Sequence, residues 1–184
     1  NSIYFKTQEL CGNVGYDRFS IRLKGDSLVK NTFDKADAEQ LERILAPELM
    51  TYYSFNKGQA ASERSRERAL ICGIKGEYNE FHNVKLKRGS FLNEKDYTDE
   101  NYVAVIDTEL AKSLFGSDDV IGLDVYIYDK KFKIIGITGN DSSIANRLIE
   151  KDLPYIYIPL SIMDEAKQSY SIANIELKAE EDSL

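Results

Sequence analysis

Residues Gly89–Ile137 read GSFLNEKDYTDENYVAVIDTELAKSLFGSDDVIGLDVYIYDKKFKIIGI, and their local signals agree on strand, helix, glycine stop and hairpin. Asn101 to Ile106 ends in a short apolar run suited to a buried strand. Asp107 can N-cap the helix that follows, because a short side-chain oxygen there accepts from the first orphan amides. Glu109 falls in the first turn, where negative charge is favoured. Leu110 with Leu114, and Ala111 with Phe115, form i,i+4 pairs, an apolar face expected to bury against the 123–137 hairpin. Gly116 can take the left-handed C-cap conformation at little cost. After Ile121-Gly122, Leu123, Val125 and Ile127 occupy alternate positions. A turn is expected at Asp129-Lys130-Lys131, after which Phe132, Ile134 and Gly136 resume the alternation.

Four features of this stretch, in this order and spacing, carry a resemblance. They are the G-x-F opening Gly89-Ser90-Phe91, the acidic patch Asn93-Glu94-Lys95-Asp96, the helix ELAKSLFG, and the hairpin running from Gly122 through Phe132 to Gly136. Together they resemble the extracytoplasmic domain of MacB/FtsX-type ABC transporter permeases, the MacB-like periplasmic core domain. The motif residues Gly89, Phe91, Leu110, Ala111, Leu114, Phe115, Gly116, Gly122, Phe132 and Gly136 are read as structural.

Outward from the stretch, Phe19, Ile21 and Leu23 alternate with polar residues as a half-buried strand, broken by Gly25-Asp26-Ser27. The segment before it, with Gly12 and Gly15, reads as a pliable entry. Asp34 is placed to cap a helix from about Lys35 to Ala46, stapled by Phe33, with Ala38, Leu41, Ile44 and Leu45 as its apolar face. Pro47 fixes its end. A strand is expected over Leu49–Phe55, a turn at Asn56-Lys57-Gly58, and another strand over Glu67–Lys75. Arg64, Arg66 and Arg68 would share one side of that strand if it began earlier. Interleaved Glu63 and Glu67 make a solvated hairpin tip the expected reading over an anion-binding ladder. Glu77 to Leu86 reads as a short helix or turn.

Downstream, Gly139-Asn140-Asp141-Ser142-Ser143 is a loop, and Asp141 or Ser142 is expected to cap a short helix through Glu150 with Ala145, Leu148 and Ile149 inward. Tyr155–Ile158 is a strand closed by Pro159, and Ser161 with Asp164 resembles a capping box for a helix to about Gln168. Ala173, Ile175 and Leu177 alternate as a last strand.

These elements predict an α+β fold of two lobes. A split βαβ lobe combines residues 17–58 with 151–180, and a smaller mixed α/β lobe, residues 59–150, is inserted and carries the motif. The expected strand order in the first lobe is 171–178, 19–24, 155–158, 49–55. The first and last strands would then be antiparallel neighbours, with both ends of the chain leaving one edge. In the resembled family the two parts correspond to a porter-like lobe and a smaller lobe, set between two membrane helices of the permease.

Composition narrows the function. With 42% hydrophobic and 30% charged residues over 184 positions, the chain can bury a core and keep a solvated surface. A formal net charge of −7 argues against general nucleic-acid affinity, which needs a basic footprint. No apolar run approaches the roughly 18–20 residues of a membrane span. A chain that opens on Asn1 is expected to be an excised or processed piece of a longer protein.

The search for chemistry returns little. There is no G-x-S-x-G, C-x-x-C, G-x-G-x-x-G or G-x-x-x-x-G-K-[ST]. His82 is the one histidine, without a nucleophile or carboxylate pattern beside it, and is expected at the surface or in a cap. Asp118-Asp119 reads as a turn rather than a cation site. Cys11 and Cys72 allow one disulfide, though Cys72 in an apolar run reads as a buried free thiol. Tyr52-Tyr53, Tyr126 with Tyr128, and Tyr155 with Tyr157 mark where contact with a peptide or lipid would be sought.

No catalytic, cofactor-binding or metal-ligating residue is assigned, and the chain is expected not to be an enzyme. The resemblance implies a domain outside the cell membrane that relays ATP-driven movement of a permease to export, to lipoprotein or peptide handling, or to a partner protein. Its implied partners are the membrane helices of the same chain, a cytoplasmic ATPase subunit or domain, and an extracytoplasmic protein, peptide or lipid. The alternative is an extracellular module that senses or binds a peptide or lipid, expected to show an apolar pocket with a few convergent polar groups.

Overall fold

The computed structural model describes residues 3–7, 18–23, 35–139, 153–167 and 174–178. Ten strands join in one mixed sheet: β1 (Ile3–Thr7), β2 (Arg18–Leu23), β3 (Leu49–Ala61), β4 (Arg66–Gly76), β5 (Leu86–Gly89), β6 (Val103–Asp107), β7 (Asp124–Ile127), β8 (Lys130–Thr138), β9 (Tyr155–Pro159) and β10 (Asn174–Lys178). Among the described residues five helices accompany them: α1 (Lys35–Leu45), α2 (Tyr78–His82), α3 (Glu94–Thr98), α4 (Thr108–Phe115) and α5 (Leu160–Lys167). The order across the sheet is β1-β2-β10-β3-β4-β9-β6-β8-β5, and β7 pairs with both β8 and β3.

That last pairing closes the sheet on itself. Ala60 and Ala61, at the far end of β3, pair with Ile127 and Tyr126 of β7. The strands β3, β4, β9, β6, β8 and β7 therefore form a hydrogen-bonded ring. A ring this small is filled by its own side chains. Ile71, Ile106, Val125, Phe132, Ile134 and Ile156 point inward and are fully buried. Leu110, Ala111 and Leu114 of α4 and Ile162 and Met163 of α5 complete the same core. Between β7 and β8 the turn is Tyr128-Asp129, not the expected 129–131. Both residues are left-handed, at φ 50° and 60°, and Ile127 pairs with Lys130, the two-residue loop whose twist suits a hairpin.

Several expectations give way at β3. The strand runs straight through Asn56-Lys57-Gly58, because a Cβ at Gly58 would strike the Ile71 side chain and Asn56 Nδ2 donates to Tyr128 Oη at 2.7 Å. The chain turns instead at Ser62–Ser65, where Ser62 Oγ accepts from the amides of Arg64 and Ser65 and donates to the Leu114 carbonyl at 2.8 Å. The boundary expected between 58 and 59 thus falls inside one strand.

The antiparallel pairing of first and last predicted strands is present: Ile21 stands opposite Ile175, and Arg18 opposite Lys178. The rest of the expected order is not. β10 lies between β2 and β3, and β4 separates β3 from β9, since the long hairpin of β3 and β4 takes the place beside β9. Residues read as a pliable entry form β1 on the outer side of β2. Phe5, Ile21, Ile175 and Tyr52 stand in one row, so β1 and β10 run parallel with β2 between them. Ile3 and Lys178 therefore lie at one edge of the sheet but at opposite ends of their strands, which corrects the expectation of a shared exit point.

Two helix readings also change. Ala38 and Leu41 of α1 are buried, whereas Ile44 is 67% exposed and Leu45 is exposed with it. The helix ends in left-handed Ala46 (φ 38°) before Pro47 carries the chain into β3. α5 begins at Leu160, directly after β9, so Ser161 lies inside the helix and is not its cap. The expectations for Phe33 and Asp34, the 25–27 break, the 141–150 helix, Gln168 and Cys11 lie outside the described residues.

Candidate functional site

The motif residues fall on both faces of the sheet. Gly89 and Gly136 are register partners in β5 and β8. A Cβ on Gly89, which is at φ 75°, would run into the Ile135 carbonyl, and one on Gly136 would run into the Ser90 carbonyl. The two glycines thus explain each other: two backbones meet where side chains cannot fit. Asp107 caps α4, its Oδ1 accepting from the Glu109 amide at 2.6 Å. Burial pushes the Asp107 carboxyl up from its ordinary range, against the lowering pull of the helix amides. Gly116 closes α4 in the left-handed conformation, its amide donating to the Lys112 carbonyl at 2.8 Å. Gly122, at φ 84°, ties its amide to Ile134 in β8.

Leu110, Ala111 and Leu114 are buried with Phe132 inside the ring, while Phe115 is only half-buried against it. α4 packs on β4 and β6 as well as on β8, so the hairpin is one of three surfaces it covers. Phe91 belongs to the opposite face. It stands edge-on to Tyr157 at 5.4 Å and stacks on Tyr78 at 6.4 Å. The acidic patch at 93–96 is the start of α3 in capping-box geometry. Asn93 Oδ1 accepts from the Lys95 amide and Asp96 Oδ2 from the Asn93 amide.

The outer face of β3, β4 and β9, under α2 and α3, gathers the most unusual chemistry. Tyr53, Tyr78, Tyr157 and Cys72 are buried there. His82 is not at the surface as expected. It stacks on Tyr78 at 4.1 Å, meets Tyr53 edge-on at 5.2 Å, and its side chain is 10% exposed. Its Nε2 stands 2.9 Å from Oε2 of Glu176 in β10, an approach that becomes an ion pair when the imidazole is protonated. Tyr53 Oη donates to the other oxygen of Glu176 at 2.7 Å. Burial raises the Tyr78 phenol and the Cys72 thiol well above their usual ranges, so neither ionises at neutral pH. The Tyr78 hydroxyl has no hydrogen-bond partner among the described residues.

This is a packed node that joins α2 to β10, with no nucleophile set against His82 among the described residues. Glu176 is a partner that sequence reasoning missed, since 94 residues separate it from His82 (176 − 82). Tyr52, Tyr126 and Tyr128 lie apart from the node: Tyr52 Oη donates to Glu42, and Tyr128 bonds Asn56. Asp118 and Asp119 are engaged by Lys87 at 2.6 Å and Arg88 at 3.3 Å, and the Lys87 ammonium holds the Asp118 carboxyl below its usual range. No group of three or more ligating side chains that could hold a metal ion occurs among the described residues.

The family model of the MacB-like periplasmic core domain matches residues 7–183. This chain belongs to that family. The macrolide export ATP-binding/permease protein MacB of Haemophilus ducreyi is 29% identical over 152 residues, which cover 83% of this chain and 21% of that protein. The chain therefore spans about a fifth of that relative's length. Among solved structures, the periplasmic region of MacB from Actinobacillus actinomycetemcomitans superposes with a TM-score of 0.75 at 22% identity, covering 96% of this chain and 82% of that one. The extracellular domain of the ABC-type transporter YknZ from Gram-positive bacteria gives 0.72 at 15% identity, covering 89% and 84%. The mixed α+β sheet is the fold of these domains. The chain is an extracytoplasmic, non-catalytic domain of a membrane transporter permease.

Proposed function

We propose that this domain relays ATP-driven rearrangement of its permease to work outside the membrane: export, lipoprotein or peptide handling, or control of a partner protein. Its mechanical partners would be the membrane helices of the same permease and a cytoplasmic ATPase subunit or domain. The observation that carries the proposal is the placing of the first and last strands. β1 and β10 lie in the outer part of the sheet with only β2 between them, about two strand spacings or ~10 Å apart across it, while Ile3 and Lys178 are offset by a further ~17 Å along the strands. Neighbouring membrane helices pack about 8–10 Å apart. A domain fed by two such helices needs both strands on the same side, and a freely diffusing module has no such requirement.

In this reading residues 17–58 with 151–180 form the lobe that receives movement, and residues 59–150 form the lobe that delivers it. β3 runs through both and moves them as one body. Rigid-body motion of this kind requires only that the ATPase bind its nucleotide differently in two permease states.

The test is made in the intact permease, reconstituted with its ATPase in vesicles. Replacing residues 3–178 by a flexible Gly/Ser linker should leave nucleotide hydrolysis measurable and abolish the extracytoplasmic output. Full output from the linker protein would refute the relay. Saturable binding of one peptide or lipid by the domain, with output dependent on that binding, would establish the sensing alternative instead.

A further inference from the structure

The hairpin of β3 and β4 has a charge arrangement hidden in the linear sequence. Glu67 lies between Arg66 and Arg68 in the chain, but strand alternation puts it on the other face. Glu67 pairs with Ala60, a member of the ring core, and so lies on the inner side. Arg66 pairs with Ala61 and Arg68 with Gln59, on the outer face, and both arginines are exposed. Lys57 shares that face, opposite Leu70. Arg66 Nη1 donates only to Gln59 Oε1, at 3.5 Å, and no carboxylate is paired with Arg66 or Arg68 among the described residues. In a chain of net charge −7, two guanidiniums side by side on one face, neither paired with a described carboxylate, make a local reversal of sign.

We infer that this face is a docking surface for an extended acidic protein segment, one that carries carboxylates at alternate positions. Three observations select that partner. The first is spacing: Arg66 and Arg68 are two residues apart on a strand, a repeat of about 6.6–6.8 Å, which is the repeat of alternate side chains in an extended segment laid alongside. A guanidinium can grip a carboxylate through two parallel hydrogen bonds, so each step of that repeat can be matched. The second is rigidity. The turn is tied to α4 through Ser62 Oγ and the Leu114 carbonyl at 2.8 Å, and β7 closes the ring beside Ala61, so little side-chain scaffold needs ordering on binding. The third is position. Lys178 pairs with Leu49 at the near end of β3, and Arg66 with Ala61 at its far end, about 40 Å along the strand. The surface is thus about 40 Å along the strand from the outgoing end and ~23 Å from the level of Ile3, which argues for a protein rather than the headgroups of the domain's own membrane. The inference stands on charge and register alone and does not require the relay reading.

The experiment uses the 184-residue chain and two synthetic peptides of identical composition, one alternating Glu with Thr and one with all Glu followed by all Thr. Fluorescence anisotropy at low salt is expected to show tighter binding of the alternating peptide. R66E/R68E should weaken it by about tenfold or more, in line with loss of paired charges and their reversal, and added salt should weaken the parent's binding. R66Q/R68Q should show an intermediate loss, which guards against an effect of charge reversal on folding; unchanged thermal midpoints confirm intact domains. Equal affinity for the two peptides would overturn the inference, as would binding unaffected by either variant. Stronger arginine-dependent binding to long-chain polyphosphate or to vesicles of phosphatidylglycerol would overturn it in favour of a polymer or a membrane.

Discussion

The closed ring and the open end formed by β1, β2 and β10 meet where β10 pairs with β3, and they differ in how they are held. Among the described residues, the ring's core draws buried side chains from six strands, two helices and Val120 in the loop after α4, most of them without any exposure. The cluster beneath the open end includes Met50, Tyr52 and Leu41, each retaining a little exposure. Each ring strand has a partner on both sides, whereas β1 presents a free edge beyond which no described strand lies. Hydrophobic stabilisation scales with buried apolar area. The ring should therefore set the global stability, and the open end should unfold locally at lower cost, as weakly packed elements do. In one continuous sheet, stability is graded by closure rather than by strand count.

The largest expected effect tests that gradient directly. Phe132→Ala, deep in the ring, should cost about 3–5 kcal/mol in denaturant unfolding, against about 2 kcal/mol for Leu177→Ala at the open end. Native-state hydrogen exchange should show β10 amides opening before those of β8. Equal costs and a single opening step would merge the two regions into one unit and break the comparison.

A second pair sharpens it within the motif. Gly89→Ala meets the β8 backbone and must also hold φ 75°, so a loss of about 2–4 kcal/mol is expected. Gly116→Ala has the same sign of φ but open space around it, and should lose only about 1 kcal/mol. If the two substitutions cost the same, the close approach of β5 to β8 is not what fixes Gly89.

Phe115→Ala should cost about 1–2 kcal/mol, less than a fully buried aromatic, because its side chain is only partly buried against the core. A loss as large as that of Phe132→Ala would place Phe115 inside the ring core. Asp107→Ala should cost about 1 kcal/mol through the lost cap.

The smallest effect is electrostatic and tied to pH. Asp118 and Asp124 are held below their usual range by Lys87 and by Lys133. The stability they contribute is present above about pH 4, the unfolded carboxylate value. It is lost as pH falls through the lower folded values. D118N/D124N should therefore lower the thermal midpoint slightly at neutral pH and not at all in strong acid, and salt should erase the difference. A difference that grew in acid would contradict the sign of both shifts.

What could be read in the sequence was local. Asp107, Gly116 and the alternation of 123–137 act within a few residues of themselves, and the same stretch carried the family resemblance. The ring could not be read. Its closure rests on a two-residue bridge from Ala60-Ala61 to Tyr126-Ile127, whose partners are more than sixty positions apart. The turn signal at Asn56-Lys57-Gly58 was a sound local inference that tertiary contacts override, with Gly58 serving to admit Ile71. His82 was misplaced for a related reason: its neighbours in sequence are uninformative, and Glu176 and Tyr53 reach it from distant strands. At α1 the four apolar positions looked equivalent, yet only Ala38 and Leu41 are buried in the cluster with Met50 and Tyr52.

The seat of β9 also governs the order of assembly. It lies between β4 and β6, yet it comes from residues 155–159, after both of them in the chain. As the polypeptide emerges, the hairpin of β7 and β8 can form within microseconds, while β4 and β6 wait with apolar faces uncovered for a strand not yet made. Contacts between distant parts of a chain slow folding, and exposed edges invite wrong pairing in the interval. A chain truncated before Tyr155 should accordingly aggregate rather than fold, because the strand that completes the ring is made after all of its ring partners.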